Sequence, residues 1–349
     1  MELFEEEPFG EFLIRKIHLQ ESDIPQMIEV LNAVYSNPNI SFDENYVRWK
    51  YMNNPDGKTR VYHVLTSGGE IAATRSAIPQ IFLINGKPVK TFLSADAGTK
   101  PQYRKKNLYL TIQYKHMSDH GKDTFILAYP GYESIAFQLY RQKLNWQLLS
   151  KVKPIFLPFS RLRPLVAPLK RRFRKKNLEI RPVERFGTPL NEYLAAKQNY
   201  SVPIMKKYTA ELLNWWTVDS RQHDFFLHTL HAKGDLIGFL VYIKRGRYHA
   251  EILKLDFNRD EHYTSYLGEV MEYVTAQTGA RLIDLWEPRQ PAFHRALEAL
   301  GCQTNHTTEH QYGLHFFPAL IYSEQTKING VDIFDERNFE LDIFTRDFV

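Results

Sequence analysis

The spacing of hydrophobic and polar residues predicts an α/β chain in which strands come first and helices follow. Extended stretches alternate with turn residues early in the sequence, and Asn85-Gly86 marks a tight hairpin. The predicted strands span 60–65, 71–84 and 89–97. A helix, a short buried strand and a second helix come next, over 108–120, 123–129 and 133–144. This half is therefore expected to be a meander of antiparallel strands that continues into a helix–strand–helix unit.

The second half of the sequence repeats that order. Its predicted elements are strands at 225–231, 237–244 and 248–257, a helix over 261–277, a strand at 281–286 and a helix over 291–300. The same number of residues separates Asp96 from Asp123 as separates Asp256 from Ile283. We interpret this match as a tandem repeat of one domain type. The predicted fold is thus α/β (α+β in stricter schemes), with two domains that each contain a mixed, mostly antiparallel sheet flanked by helices.

The segment between the two repeats differs in composition and indicates the domain boundaries. Residues 151–176 include four prolines and end in a basic run. We predict a first domain over 1–155, a basic, proline-containing linker or insertion over 156–204 and a second domain over 205–349. A chain of 349 residues suits two domains of ordinary size.

Charge and cysteine usage narrow the class of protein. The formal net charge is +5, from 45 basic and 40 acidic residues, so no generally basic surface is expected. Cys302 is the single cysteine, which excludes an intrachain disulfide and a multi-cysteine metal site and favours the reducing cytoplasm. No apolar run is long enough for a membrane span, and the acidic N-terminus lacks the pattern of a secretory signal.

The clearest candidate for chemistry follows the strand at 89–97. A turn with three successive basic residues, Arg104, Lys105 and Lys106, leads there into the helix at 108–120. The first turn of a helix presents N–H groups without partners and the positive end of the helix dipole, so this place suits a pyrophosphate or another polyanion. A solvated basic turn is the alternative that the turn by itself leaves open.

Residues 12–150 resemble the GNAT family of acyl-CoA-dependent N-acyltransferases. That family binds phosphate with a turn of the form Arg/Gln-x-x-Gly-x-Gly/Ala, usually after Pro-x-Tyr, and PQYRKKNLY at 101–109 follows this pattern. The run FQLYRQKLNW at 137–146 is similar to the family's Tyr-x-x-x-Gly-Phe/Trp ending, with Tyr140 as its tyrosine. The stretch 42–57 resembles the N-terminal part of a bacterial subgroup whose members often have two such domains.

The sequence departs from the family pattern at its glycines. Asn107 and Tyr109 occupy the two glycine positions of the turn, and Asn145 occupies that of the later ending. Asparagine is the non-glycine residue that best adopts a left-handed backbone, so Asn107 and Asn145 are tolerable replacements. Tyr109 would either narrow the approach of a pyrophosphate or point away from the turn.

The resemblance implies an acyl-CoA-dependent N-acyltransferase that uses acetyl-CoA or another acyl-CoA as co-substrate and needs no metal. A primary amine would attack the thioester directly, with acyl-CoA lying in the gap where the strand at 89–97 separates from that at 123–129. The implied cofactor-binding residues are Ala97, Thr99, Arg104, Lys105, Lys106, Asn107, Leu108, Tyr109 and Ser134.

The same resemblance assigns candidate catalytic residues. Tyr140 matches the acid that protonates the leaving thiolate, and its alternative role is a core tyrosine on a helix face. Asp96 lies on the strand that supplies a base in many members, and its alternative role is a turn carboxylate. Glu133 could serve as the base instead or help to cap the helix at 133–144, and Ser134 could contact the cofactor or cap that helix.

The second repeat has a different turn at the corresponding position. Residues 256–261, with the sequence DFNRDE, are acidic and would repel a phosphate. We therefore predict that the second repeat does not bind CoA. The 13 histidines show no spacing typical of metal ligands, so no metal site is predicted.

A basic segment between Arg161 and Lys176 carries eight basic residues with apolar ones between them. It could lie on an anionic membrane surface, which would make a cytoplasmic protein peripheral at the inner membrane face. A solvated connector is an equal alternative, and nucleic acid ranks lower because no recognised nucleic-acid motif accompanies the segment. The rival to the enzyme is a non-catalytic GNAT-like scaffold that binds a membrane or a partner through 161–176. The acceptor amine stays open among small-molecule, sugar, lipid and peptide amines.

Overall fold

The computed structural model describes most of the chain, and its elements follow the predicted order. The described residues are 2–35, 42–120, 124–131, 134–152, 154–158, 178–196, 202–220, 222–257, 262–286, 295–297, 299–300 and 317–341. Glu133, the acidic turn at 258–261 and the basic segment at 161–176 lie outside these ranges, so the expectations for them stay predictions.

The helices begin and end at residues whose chemistry explains the boundary. Pro25 lies in the first turn of the first helix, where a backbone N–H would have no partner within the helix, so proline costs no hydrogen bond there. The Asp43 carboxylate accepts a hydrogen bond from the backbone N–H of Tyr46 at 2.8 Å and caps the second. Gly279, with a φ of 68°, ends the helix Tyr263–Thr278 in a left-handed conformation. The helices are α1 (Ile24–Val34), α2 (Glu44–Val47) with a π-helix (Arg48–Met52) after it, α3 (Leu108–His120), α4 (Ile135–Gln142), α5 (Thr188–Ala196), α6 (Ala210–Trp216) and α7 (Tyr263–Thr278).

The first large sheet contains the predicted meander. Its strands from the first half of the chain are β1 (Glu2–Phe9), β2 (Phe12–His18), β3 (Arg60–Thr66), β4 (Ile71–Ile84), β5 (Lys87–Thr99), β6 (Ile126–Ala128) and β7 (Gln147–Val152). Neighbouring strands from β1 to β5 are antiparallel, and β5 and β6 are parallel. The crossover between β5 and β6 is α3, as a parallel pair requires.

The second large sheet repeats this arrangement. In the described residues it has the strand order β8-β14-β13-β12-β11-β9. Its strands are β8 (Pro154–Pro158), β9 (Glu179–Val183), β11 (Phe225–Ala232), β12 (Asp235–Gly246), β13 (His249–Phe257) and β14 (Leu282–Trp286). β13 and β14 are parallel and are joined through α7, as β5 and β6 are joined through α3. The prediction of an α/β fold with mixed, mostly antiparallel sheets flanked by helices is confirmed.

Strands pass between the two sheets. β8 follows β7 in the chain but pairs with β14 in the second sheet. In return, β15 (Phe317–Tyr322) enters the first sheet between β6 and β7. β10 (Ile204–Lys206) also joins the first sheet, against β4, with the short strand Phe339–Glu340 at its other side. The domain boundaries at 155 and 205 stay predictions, because each sheet contains a strand from the other half of the chain.

Two apolar clusters cover the two faces of the first sheet. On β5 and β6, Leu93 and Leu127 pack in the cluster that contains α1, whereas Phe92 and Ile126 pack in the cluster that contains α3 and α4. This alternation is the two-residue period of a strand. The face of each polar residue on these strands can therefore be read from its contacts.

Candidate active site

A gap opens in the first sheet beside the end of β5. β5 and β6 pair only at Phe92 with Ile126 and at Leu93 with Leu127, although β5 continues to Thr99. Beyond Leu93 the two parallel strands therefore separate, which is the gap that the resemblance implies for acyl-CoA. On the other side of β5 lies a β-bulge, because the register moves from Ser76–Ala95 to Thr74–Gly98.

The turn after β5 has the conformation that its glycine-like positions require. Asn107 has a φ of 59°, so asparagine does adopt the left-handed backbone at this position. Lys105 is also left-handed, with a φ of 72°. The first helical hydrogen bond of α3 runs from the Thr111 N–H to the Asn107 carbonyl, at 3.1 Å. The N–H groups of residues 108–110 precede it and have no partner within the helix.

Acidic side chains lie close to the basic residues of this turn. Lys106 forms an ion pair of 2.6 Å with Glu11, and Lys100 forms pairs of 2.7 and 3.1 Å with Glu29 and Glu70. Arg104 and Lys105 are exposed. Exposed ion pairs contribute little stability, so a phosphate can displace Glu11 from Lys106 at small cost.

Tyr109 is the second residue of α3, and its side chain interacts with Tyr140 on α4. Burial raises the pKa of Tyr109 well above its ordinary value, and its proximity to Tyr140 raises it further. The ring is therefore directed into the interior between α3 and α4, away from the turn. Of the two readings of Tyr109, this contact supports the one that leaves the approach to the turn open.

Tyr140 lies at the centre of a buried polar network. It is 3% exposed, and its hydroxyl contacts Ser94 Oγ at 2.7 Å, Gln113 Nε2 at 3.0 Å and Arg75 Nη1 at 3.2 Å. Burial by itself would raise the pKa of Tyr140, but the charge of Arg75 and the hydrogen bonds that Tyr140 makes with Arg75, Ser94 and Tyr109 outweigh it and lower the pKa. A tyrosine of lowered pKa is a better proton donor to a thiolate.

The residues after Tyr140 hold it in place. Asn145 has a φ of 55° and forms the left-handed turn that the family pattern assigns to glycine. The turn returns Trp146 onto the Tyr140 ring, with 4.5 Å between ring centroids. Trp146 Nε1 in turn donates to the sulfur of Met117 on α3 at 3.3 Å.

Asp96 lies on the other face of the sheet. Strand alternation would place it with Ser94, but Asp96 and Ala97 together oppose Arg75 in the bulge, and Asp96 has a φ of 47°. Its buried carboxylate pairs with Lys50 Nζ at 2.8 Å and accepts a hydrogen bond from the Tyr51 hydroxyl. The structure thus does not bring Asp96 and Tyr140 together.

The remaining predicted residues are distributed around the gap. Ser134 caps α4, since its Oγ accepts a hydrogen bond from the Phe137 N–H at 3.1 Å. The Ala97 carbonyl accepts from the Tyr35 hydroxyl at 3.5 Å. Gly98 has no room for a side chain, because a Cβ there would lie 2.0 Å from Cγ1 of Val34 on α1. The backbone of Ala97 and Thr99 is therefore held against α1.

The sequence motifs do not include the polar residues that surround Tyr140 and Asp96. Arg75 and Lys50 are both 0% exposed, and each binds one of these two groups. Arg75 does leave a signal in the sequence, because it is a charged residue within the apolar stretch IAATRSAI of β4. A charge in such a position needs a buried partner.

Residues 15–148 match the acetyltransferase (GNAT) domain model. Together with the fold, this match supports an acyl-CoA-dependent acyltransferase at a general level. Among curated proteins, no sequence matches this chain.

Solved structures with the same fold have low sequence identity to the chain. A probable N-acyltransferase from Enterococcus faecalis V583 is 10% identical, with a TM-score of 0.64 over 88% of this chain and 72% of its own. A GCN5-related N-acetyltransferase from Anabaena variabilis is 13% identical, with a TM-score of 0.62 and the same two coverages. The Saccharomyces cerevisiae N-myristoyltransferase with bound myristoyl-CoA is 10% identical, with a TM-score of 0.54 over 97% of this chain and 90% of its own. At such identities the likeness establishes the fold, here over both halves of the chain.

No helix in the described ranges is long and apolar enough to cross a membrane. Those same ranges contain no group of three or more histidine, cysteine, aspartate or glutamate residues that could hold a metal ion.

Proposed function

We propose that the chain is an N-acyltransferase whose first domain transfers an acyl group, acetyl in the first instance, from acyl-CoA to a primary amine. The observation that carries the proposal is the combination of the gap beyond Leu93 with the left-handed turn at Asn107 and the buried hydroxyl of Tyr140. The N–H groups at the start of α3, with Arg104, Lys105 and Lys106, would bind the pyrophosphate. Ala97, Thr99 and Ser134 would line the path of the pantetheine arm.

The chemistry proposed is direct transfer. The amine nitrogen bonds to the acyl carbon, the carbon–sulfur bond breaks, and the thiolate takes a proton from Tyr140. Asp96 stays the candidate base on β5, although as a base it would have to leave its ion pair with Lys50. The acceptor is an amine whose identity, whether small molecule, sugar, lipid or peptide, is open.

Calorimetric titration with acetyl-CoA and with longer acyl-CoAs tests the proposal. Binding by the wild type, weakened at least tenfold in Arg104→Ala, is the expected result. Arg181→Ala is the matched control, because Arg181 is an exposed arginine of the second sheet. If the wild type binds no acyl-CoA, the proposal fails and the scaffold that acts through 161–176 becomes the better reading.

Turnover separates the enzyme from a scaffold that merely retains CoA. Tyr140→Phe should bind acetyl-CoA as the wild type does and lose at least a hundredfold in kcat, the size expected for loss of a general acid. A scaffold would bind acyl-CoA in both forms and turn over in neither. Flotation with anionic vesicles, repeated after Lys/Arg→Gln changes in 161–176, tests the proposed membrane contact separately.

A further inference from the structure

Arg75 is a buried cation without an acidic partner among the described residues. Its side chain is fully buried on β4, with Nη1 at 3.2 Å from the Tyr140 hydroxyl and Nη2 at 2.8 Å from His116 Nδ1. No carboxylate forms an ion pair with it in the part of the chain that the structure describes. Burying a charge in this way is costly unless a counter-charge is present. The molecule therefore keeps at this place a positive charge that an anion would stabilise.

Of the two groups that Arg75 contacts, only Tyr140 can become that anion. Burial first, and then the charge of Arg75, hold the pKa of His116 well below its ordinary value, so this imidazole is neutral. A neutral imidazole that accepts from Arg75 at Nδ1 carries its proton on Nε2. The phenol of Tyr140, by contrast, becomes negative when it gives up its proton.

The other contacts of Tyr140 determine where its proton points. Arg75 and Gln113 both donate N–H groups to the phenol oxygen. The Tyr109 hydroxyl is hydrogen-bonded to the same oxygen, and because this bond raises the pKa of Tyr109, Tyr109 keeps its own proton and donates as well. The Tyr140 proton is then directed to Ser94 Oγ, 2.7 Å away on β5 next to the bulge. Once that proton has gone, Ser94 can turn and donate, so four donors converge on a phenolate.

We propose that Arg75 is a positioning residue that stabilises the phenolate of Tyr140 formed when the thiolate of CoA is protonated. The proposal rests on the proposed function for the identity of the leaving group. In the step, the carbon–sulfur bond breaks as the nitrogen–carbon bond forms, the amine nitrogen releases one proton to solvent, and the sulfur takes the phenolic proton. The negative charge moves from sulfur to the Tyr140 oxygen, next to Arg75, and a solvent proton restores the phenol after the products leave.

The ordinary acidities of the two groups explain why such a residue is needed. A thiol has a pKa of about 8.5 and a tyrosine one of about 10, so proton transfer from tyrosine to a thiolate is unfavourable in water. Burial raises the pKa of Tyr140, but the charge of Arg75 and the hydrogen bonds to the phenol lower it by more, so the net shift is downward. This brings the phenol closer to the acidity of the thiol, which is the match that efficient acid catalysis requires.

Other titratable groups surround Tyr140 and have to be separated from Arg75 in a test. The α3 helix contributes Tyr109, His116 and His120, and β3 contributes Arg60 and Tyr62. Burial and then Arg60 lower the pKa of His120 to about 3, so it stays neutral at the pH values of interest. The pKa of Tyr62 is raised, mainly by burial and to a smaller extent by the charge of Asp119, so Tyr62 keeps its proton. Arg60 contacts His120 at 3.3 Å rather than Tyr140, which makes Arg60→Gln the matched control for loss of a nearby cation.

The first test needs neither acyl-CoA nor turnover. In the full-length protein labelled with ¹³Cζ-tyrosine, the resonance that disappears in Tyr140→Phe should titrate below the ordinary tyrosine value of about 10. Arg75→Met should move that titration upward by at least one pH unit, Arg75→Lys by less, and Arg60→Gln should leave it nearly unchanged. If Tyr140 titrates in the wild type at or above the ordinary value, the proposal is overturned even when the Arg75 variants do not fold.

The second test uses the reaction. The alkaline limb of kcat reports loss of the Tyr140 proton, so Arg75→Met should shift it upward and lower the maximum about ten- to a hundredfold, and Arg75→Lys should restore part of both. A purely structural role would lower activity without moving the limb, and that result contradicts the proposal. Absence of turnover in the wild type would instead count against the proposed function, while the tyrosine titration still decides the role of Arg75.

Discussion

Trp49 and Trp215 exchange hydrogen bonds across the two halves of the chain. Nε1 of Trp49 donates to the carbonyl of Trp215 at 2.5 Å, and Nε1 of Trp215 donates to the carbonyl of Trp49 at 2.8 Å. Both side chains are buried, and their rings lie 5.3 Å apart. The π-helix is thus joined to α6 by a pair of bonds between residues far apart in sequence.

Trp215→Phe should destabilise the protein as a whole. The change removes the N–H that the Trp49 carbonyl binds and leaves that buried carbonyl without this donor, at a cost of about 1–3 kcal/mol. Urea unfolding followed by circular dichroism measures the loss. Tyr248→Phe, at an exposed aromatic of the second half, should change stability by less than about 0.5 kcal/mol. Equal effects of the two changes would contradict a specific role for the exchanged bonds.

Asp96→Asn distinguishes a structural carboxylate from a base. Lys50 is fully buried against Asp96, so loss of the carboxylate leaves an uncompensated charge and should cost about 3–5 kcal/mol of unfolding free energy. Adding Lys50→Met to Asp96→Asn should recover part of that stability, as a thermal unfolding series would show. A variant Asp96→Asn with native stability and a large loss of kcat would favour the base.

The left-handed turn residues predict an unusual pattern of substitutions. At Asn107, glycine should be accepted without loss of stability or acetyl-CoA affinity, because it adopts a positive φ freely. Alanine at Asn107 should cost about 1–2 kcal/mol of stability, and the affinity should fall as the turn relaxes. At Asn145, alanine should likewise be less stable than glycine. The acetyl-CoA affinity should change less in the Asn145 variants than in the Asn107 variants. Unfolding curves and calorimetry on the four variants check both parts.

Glu11→Gln should strengthen acyl-CoA binding at low salt. It frees Lys106 from its ion pair, and the exposed location limits the effect to about a two- to threefold lower Kd. The gain should vanish in 0.5 M salt, as screening predicts, and in the double variant with Lys106→Gln. Glu6→Gln, which affects a pair with Arg15 on the same hairpin, is the matched control. An unchanged Kd in Glu11→Gln at low salt would remove Lys106 from the proposed phosphate site.

The order of elements and the conformation of the turn could be predicted because their causes are local. Hydrophobic periodicity indicated β3 to β6 with α3 between β5 and β6, and asparagine chemistry anticipated the positive φ of Asn107 and Asn145. Tyr140 followed from the resemblance. Each of these depends on residues a few positions apart.

The rest of the site depends on contacts between distant segments. The face of Asp96 could not be predicted, because simple alternation places it with Ser94 and only the bulge against Arg75 reverses it. The partners of Tyr140 come from β4, β5 and α3, and no spacing in the sequence relates them. The pairing of β8 with β14 likewise depends on how complete sheets assemble.

The position of β15 has a consequence for synthesis of the protein on the ribosome. The strand that separates β6 from β7 is Phe317–Tyr322, so the sheet that α4 and Tyr140 pack against stays unfinished while most of the second half is being translated. During that time β6 and β7 present open edges, which favour pairing with other chains. A product released before β15 is made would therefore keep two open strand edges next to the turn and the tyrosine on which the proposed activity depends.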